Sequence, residues 1–204
     1  MENNTIIIAT GNKGKAKEFE HLFKKYGYAI KTLLDFPELD DVEETGTTFQ
    51  ENALLKAEEI SKKMNKIVLA DDSGLEVDAL NGQPGIYSAR FAGEHGNDEK
   101  NNKKLLGELV GLPKDKRTAN FHCSLVLVGP DRSPLFVEGE VNGYILEEPR
   151  GSNGFGYDPL FYVPALKKSM AELTNEEKNE ISHRANAIKQ LEKHPWEALD
   201  QELK

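Results

Sequence analysis

The chain has 204 residues, which suits one globular domain or a large and a small lobe that share one core. Its formal net charge of −9, from 26 basic and 35 acidic side chains, argues against nucleic acid and anionic membrane surfaces as partners. A small anion bound in a local basic pocket stays compatible with that charge. The single cysteine, Cys123, excludes a disulfide within the chain, and its apolar surroundings favour an inert core thiol over a nucleophile.

The sequence shows no segment that targets it to a membrane. No run approaches the roughly 18 apolar residues of a membrane-spanning helix. The first residues, Met1-Glu2-Asn3-Asn4, lack the basic and apolar regions of a signal peptide. We therefore expect a cytoplasmic protein.

Strands and helices alternate along the first half of the chain, which indicates an α/β fold with a mixed sheet. The predicted strands are Thr5–Ala9, Tyr28–Leu34, Lys66–Ala70, Thr118–Val128 and Leu135–Leu146, the last two as an antiparallel pair. The predicted helices are one through Ala16 and Tyr26, then Thr48–Met64, Asp98–Val110, Thr174–Lys178, Ser182–Lys193 and a short Trp196–Leu203. The predicted loops are an acidic one at Phe36–Gly46, a turn at Asn81–Gly85 and a glycine-rich one at Pro149–Asp158.

Ligands of open α/β sheets gather at the carboxyl ends of strands. Two segments of this sequence are predicted to follow such ends, one beginning at Thr10 and one at Asp71-Asp72. The first contains small residues and two lysines just before a helix, where exposed amides and the helix dipole favour an anion. Phosphate binding and a plain polar turn both remain open for it. Its residues are Thr10, Gly11, Asn12, Lys13, Gly14 and Lys15.

Adjacent carboxylates at the end of an apolar strand are costly unless something compensates their charge. A hard cation would do so, since Mg²⁺ typically takes one or two carboxylates together with substrate phosphate. Asp71-Asp72 and the loop acids Glu43-Glu44 are the candidates, with a helix cap or turn and a solvated loop as the alternatives. Lys56 lies near the buried face of its helix, where it either extends to solvent or reaches a bound phosphate.

Two later segments are suited to bind a base. The loop Gly151–Asp158 carries two aromatics between glycines, and either stacks a base or packs into the core. Ser182 is a suitable helix cap, so His183 and Arg184 would lie in a first turn whose dipole disfavours cations. Their side chains can donate hydrogen bonds to a purine, although an ordinary surface helix start explains them equally well.

These segments together resemble the inosine/xanthosine triphosphate pyrophosphatase family, which removes deaminated purine nucleotides. The resemblance spans nearly the whole chain and includes two further segments, Glu51-Asn52-Ala53 and Pro84–Arg90. It implies a two-lobed α/β fold with a long central mixed sheet flanked by helices, and a substrate cleft between the lobes. It also implies a homodimer and Mg²⁺ as the cofactor.

The resemblance also implies a role for each candidate residue. Glu43 and Asp72 would bind Mg²⁺, and Asp72 would accept the proton of the attacking water. Residues 10–15 and Lys56 would bind the triphosphate, and Ser73 would touch the substrate. The base pocket would comprise Phe155, Gly156, Tyr157, Asp158, Lys178, His183 and Arg184.

The residues alone leave other functions open. A nucleotide sensor without turnover would use the same cradle, but it would gain little from buried paired carboxylates. A sugar-phosphate phosphatase would have no role for the side chains of Phe155, Tyr157 and His183. The acidic balance makes a nucleic-acid-binding module the weakest alternative.

Overall fold

A computed structural model describes residues 5–39, 42–130 and 133–194 of the protein. The strands are β1 (Thr5–Ile8), β2 (Ala29–Thr32), β3 (Val68–Val77), β4 (Thr118–Val128), β5 (Leu135–Ile145), β6 (Phe161–Val163) and β7 (Lys168–Ser169). The helices are α1 (Lys13–Lys24), α2 (Phe49–Met64), α3 (Asp98–Glu108), α4 (Asn175–Ile181) and α5 (His183–Leu191). No helix within the described ranges is both long and apolar enough to span a bilayer.

Over the described ranges the strands form one seven-stranded sheet in the order β2-β1-β3-β4-β5-β6-β7. Strand β1 pairs in parallel with β2 and β3, whereas β6 pairs antiparallel with β5 and β7. Side-chain contacts between β4 and β5 join His122 to Glu140 and Ser124 to Glu138, and such opposed numbering is that of an antiparallel pair. The predicted mixed α/β sheet flanked by helices is confirmed.

The chain divides into two compact units. Unit 1 contains the described residues of 1–72, 123–139 and 184–204, and unit 2 contains those of 73–122 and 140–183. The boundaries separate Asp72 from Ser73 and His183 from Arg184.

Unit 1 has a hydrophobic cluster on each face of its strands, because successive strand residues point to opposite faces. Ile6 and Ile8 belong to the cluster that takes in α1 and α5. Ile7 and Ala9 belong to the other, which contains the buried face of α2. The short apolar run of β1 is therefore buried on both sides, as is usual for parallel strands covered by helices.

Unit 2 has its own core, built on the second half of β3 and on β4, β5 and β6. Leu105 and Leu109, at the C-terminal end of α3, pack into it, as do Tyr157 and Leu160 from the glycine-rich segment. Of the two alternatives that the sequence left open for that segment, Tyr157 follows packing into the core.

The structure corrects the end of one predicted strand. Strand β3 was expected to stop at Ala70, but it continues to Val77 and carries Asp71 and Asp72 in its middle. The strand continues because Leu75 and Val77 are fully buried and extend its apolar pattern past the acidic pair. The acidic pair therefore does not form a loop at a strand end.

Other boundaries differ by smaller amounts. The strand expected at Tyr28–Leu34 is limited to Ala29–Thr32, because a 3-10 turn begins at Leu33. Strands β6 and β7 were not predicted, since three and two residues show no periodicity. The predicted terminal helix Trp196–Leu203 lies outside the described residues.

Arg117 is a buried cation that stabilises unit 2. Its side chain is 3% exposed and donates to the carbonyl oxygens of Ile145, Leu109 and Leu146 at 2.7, 2.8 and 2.7 Å. These bonds tie the end of α3 to the end of β5.

We expect Arg117→Met to lower the free energy of unfolding by about 2–4 kcal/mol, because buried carbonyls would lose charged donors. The neighbouring Lys116 is exposed, so Lys116→Met is the matched control and should change the free energy by less than about 0.5 kcal/mol. Urea denaturation of both variants measures the difference. Equal stability of the two variants would contradict this role for Arg117.

Candidate functional site

The segment between β1 and α1 has the local structure of an anion cradle. Asn12 caps α1, and its side-chain oxygen accepts from the amide of Lys15 at 3.0 Å. The Thr10 hydroxyl accepts from the amide of Asn12 at 3.2 Å. Gly11, Asn12 and Lys13 are exposed, whereas Thr10 is buried. The predicted cradle therefore lies at the start of a twelve-residue helix, where amides and the dipole favour negative charge.

Lys15 joins this cradle to the acidic pair. Its ammonium lies 3.0 Å from Oδ2 of Asp71, whose side chain is fully buried. Nε of Arg184 lies 3.5 Å from the same oxygen, and Nη1 of Arg184 lies 3.0 Å from Oε2 of Glu18. Burial raises the pKa of Asp71, but Lys15, Arg184 and Lys56 outweigh it and hold that pKa well below its usual range.

Asp72 has different neighbours. Its Oδ2 accepts from Nδ2 of Asn52 at 3.1 Å, and its Oδ1 lies 3.9 Å from the ammonium of Lys56. Burial raises the pKa of Asp72, and the charges of Glu44 and Asp71 raise it further against the opposing effect of Lys56 and Lys15. The two neighbouring carboxylates are thus shifted in opposite directions.

Lys56 lies between two acidic side chains. Its ammonium donates to Oε1 of Glu44 at 2.6 Å, in addition to its contact with Asp72. Burial lowers its pKa, but the charges of Asp72, Asp71 and Glu44 outweigh that effect, so the pKa is raised. Lys56 is therefore a charged lysine with an 11% exposed side chain, held by acidic groups instead of extending to solvent.

Helix α2 fixes this acidic group through Asn52, which is fully buried. Its Oδ1 accepts from the amide of Gly46 at 2.8 Å while its Nδ2 donates to Asp72. The helix begins directly after Thr48, whose hydroxyl accepts from the amide of Glu51. The amide and hydroxyl of Thr47 donate in turn to Oε2 of Glu51.

Among the described residues, these contacts join three cations and four carboxylates. The cations are Lys15, Lys56 and Arg184, and the carboxylates are Glu18, Glu44, Asp71 and Asp72. This excess of one carboxylate, with Asp72 and Glu44 both beside Lys56, fits a divalent cation with oxygen ligands. No described group of three or more His, Cys, Asp or Glu converges as a complete metal cage, so substrate oxygens would have to complete the coordination.

Glu43, the other predicted metal ligand, is exposed in the segment that precedes α2. Its neighbour Glu44 is the loop acid that reaches Lys56. Ser73, which was predicted to touch the substrate, is half-buried and follows Asp72 in β3.

Unit 2 holds the residues predicted for the base pocket except Arg184, which belongs to unit 1. Asp158 bonds several of them. Its Oδ2 accepts from the amide of Phe155 at 2.9 Å and from the ammonium of Lys178 at 2.7 Å. That ammonium also lies 4.9 Å from the centre of the Phe155 ring. Gly154 has a φ of +78°, and a Cβ there would collide with the Asp158 carboxylate. The structure therefore brings Phe155, Asp158 and Lys178 together as one group.

Helix α3 holds the other side of the same loop. The amide of Gly156 donates to Oδ2 of Asp98 at 2.7 Å, and Nδ2 of Asn102 donates to the carbonyl of Gly156 at 2.8 Å. The loop is therefore fixed by side chains as well as by its own turns. Asp98 and Asn102 were not singled out in the sequence, where they read as ordinary polar helix residues.

Tyr157 and His183 are buried instead of being presented to solvent. The Tyr157 hydroxyl donates to the carbonyl of Ser88 at 2.8 Å, and burial raises its pKa. The His183 ring stacks on Phe121, with centroids 4.9 Å apart and planes 14° apart. His183 begins α5, as predicted. Cys123 is also fully buried and its pKa is raised by burial, which agrees with an inert thiol.

Comparison with known proteins gives a consistent result. The sequence profile of the Ham1 family matches residues 6–194. A protein of Listeria monocytogenes named dITP/XTP pyrophosphatase is 58% identical over 199 residues, which cover 98% of each chain. A protein of Halalkalibacterium halodurans with the same name is 56% identical over 187 residues, covering 92% of this chain and 96% of that one.

Solved structures agree with the sequence comparison. The Staphylococcus aureus Ham1 protein superposes with a TM-score of 0.81 at 49% identity, covering 93% of this chain and 97% of that one. A HAM1 protein from Coxiella burnetii gives a TM-score of 0.82 at 42% identity with the same coverage. The resemblance predicted from the sequence is confirmed, and this chain belongs to the Ham1 family.

Proposed function

We propose that this protein hydrolyses non-canonical purine nucleoside triphosphates, namely ITP, dITP and XTP, to the monophosphate and pyrophosphate, and that it requires Mg²⁺. The observation that carries the proposal is the buried pair Asp71 and Asp72, with Asp71 against the start of α1 and Asp72 beside Lys56 and Glu44. Asp71 is bound to the cradle lysine Lys15, while Asp72 is left with an excess of carboxylate charge. The name dITP/XTP pyrophosphatase, which the Listeria and Halalkalibacterium relatives bear, agrees with this activity.

Phosphoryl-transfer catalysis depends mainly on positioning and on electrostatic stabilisation. Lys13, Lys15 and Lys56 would offset the negative charge of the triphosphate, with the amides at the start of α1 as further donors. Asp72 would accept the proton of the attacking water, as the resemblance to the family implies. When bound, Mg²⁺ would be held by Asp72 with Glu43 or Glu44, and it would supply positive charge to the phosphate oxygens.

Base selection would rest on the group in unit 2. A 6-oxo group accepts hydrogen bonds from donors such as Lys178, His183 and loop amides, whereas the 6-amino group of ATP would face those donors. A buried donor left unpaired costs about 1–3 kcal/mol, which disfavours ATP. Phe155, half-buried under Lys178, would provide the stacking surface.

A panel of triphosphates with Mg²⁺, assayed for both pyrophosphate and orthophosphate, tests this function. We expect pyrophosphate from ITP, dITP and XTP, and a kcat/KM for ATP lower by about tenfold or more, as one unpaired donor predicts. Binding of ITP without product would indicate a nucleotide sensor. Orthophosphate release that free nucleosides do not inhibit would indicate a sugar-phosphate phosphatase.

We expect Asp72→Asn to lower kcat with ITP by about 100-fold or more, because the substitution removes the proton acceptor but keeps the shape of the side chain. The exposed Glu58 on α2 offers a matched control, since Glu58→Gln also removes one carboxylate. Steady-state pyrophosphate release and thermal unfolding should be measured on both variants. Near-normal turnover in Asp72→Asn would remove Asp72 from the mechanism.

We expect Lys178→Met to narrow the preference for ITP over ATP by about tenfold, because it removes a donor and takes the ammonium away from Asp158 and from the face of the Phe155 ring. Lys168→Met is the control, since Lys168 is an exposed lysine paired with Glu177. The ratio of kcat/KM values for ITP and ATP gives the readout. An unchanged ratio in Lys178→Met would show that Lys178 takes no part in base selection.

A further inference from the structure

The contacts of Arg184 do not suit the base-reading role that the resemblance implies. Its side chain is 3% exposed and belongs to unit 1, together with Glu18, Lys15 and Asp71. Nη1 lies against Glu18 and Nε lies near Asp71. A base reader should direct its donors to the ligand, whereas this guanidinium is directed to two buried carboxylates.

The four side chains form an alternating chain of charges, Lys15–Asp71–Arg184–Glu18. One oxygen, Oδ2 of Asp71, lies 3.0 Å from Lys15 and 3.5 Å from Arg184. Lys15 and Glu18 are three residues apart on α1, so they lie on one face of the helix that begins at the phosphate cradle. A shift of Arg184 would therefore move Asp71, and with it the cradle lysine.

Because its side chains are buried, this chain of charges is rigid and is disturbed when one of the side chains is removed. The side chains of Asp71, Arg184 and Glu18 are 0%, 3% and 6% exposed. Removing one partner of a buried ion pair leaves the other charge uncompensated, and the remaining groups must rearrange. Lys15, at 16% exposure, is the member of the chain with the most access to a ligand.

We propose that Arg184 is a positioning residue for the triphosphate: with Glu18 it fixes Asp71, and through Asp71 it holds the ammonium of Lys15 at the cradle. The proposal rests on the proposed function for the identity of the substrate. It assigns Arg184 to the phosphates and leaves base selection to the residues of unit 2.

Inorganic tripolyphosphate is the direct probe, because it has the phosphates and no base. Calorimetry at a fixed Mg²⁺ concentration should show Arg184→Gln binding it about fivefold or more weakly than the unmodified protein, as expected when a charge-assisted contact is displaced. The ratio of kcat/KM values for ITP and ATP should stay within about twofold of the original, since a contact shared by both nucleotides is lost. Lys17→Gln, which removes an exposed charge from the same helix, is the control and should bind as the unmodified protein does.

Glu18→Gln is the second variant, because it keeps its shape and weakens the same chain from its far end. It should reduce tripolyphosphate binding in the same direction, and it decides the outcome if Arg184→Gln does not fold. In a Lys15→Met background, Arg184→Gln should have little further effect on binding, because the two residues act in series.

If Arg184→Gln left the tripolyphosphate affinity unchanged but abolished the preference for ITP over ATP, the proposal would be overturned. Arg184 would then be assigned to recognition of the base. Failure of the unmodified protein to bind tripolyphosphate would also overturn it. An unmodified protein that binds tripolyphosphate but hydrolyses no nucleotide would refute the proposed function and leave the positioning role standing.

Discussion

Two adjacent carboxylates buried in the middle of one strand are the constraint on which unit 1 depends. Asp71 and Asp72 are 0% and 5% exposed, and a buried ionised carboxylate is tolerated only when charges or hydrogen bonds compensate it. Because successive strand residues point to opposite faces, the two side chains make direct contacts with different groups. Helices α1 and α5 supply cations to Asp71, and α2 supplies Asn52 and Lys56 to Asp72.

The charges of Asp71 and Asp72 are compensated differently, and the difference distinguishes a structural carboxylate from a candidate reactive one. Two cations lie near one oxygen of Asp71 and lower its pKa. We interpret Asp71 as a structural carboxylate. Asp72 shares Lys56 with a second acid, Glu44, and its pKa is raised. Perturbed carboxylates of this second kind are typical of reactive sites. The proposed Mg²⁺ and the proposed proton transfer both follow from this remaining negative charge.

The sequence predicted the parts of the fold that local patterns determine. Helix α2 begins directly after Thr48, the first residue of the predicted helix, and β4 has the predicted bounds Thr118–Val128. The end of β3 was missed because Asp-Asp-Ser-Gly looks like a strand end, and only burial of Leu75 and Val77 shows otherwise.

Asn52, Glu18 and Arg117 were not assigned roles, because their partners lie far along the chain. The spacing of Lys15 and Glu18 on one helix face was the available signal for Glu18. The homodimer and the cytoplasmic location stay predictions.

Mn²⁺ is a spectroscopic substitute for Mg²⁺. Its binding to single-residue variants tests most directly whether Asp72 binds the metal while Asp71 is structural. Electron paramagnetic resonance titration should show one site in the unmodified protein. The account predicts that Asp72→Asn loses this site, while Asp71→Asn keeps it with a changed affinity and loses affinity for tripolyphosphate. Retention of Mn²⁺ by Asp72→Asn, with its loss in a folded Asp71→Asn, would contradict the account.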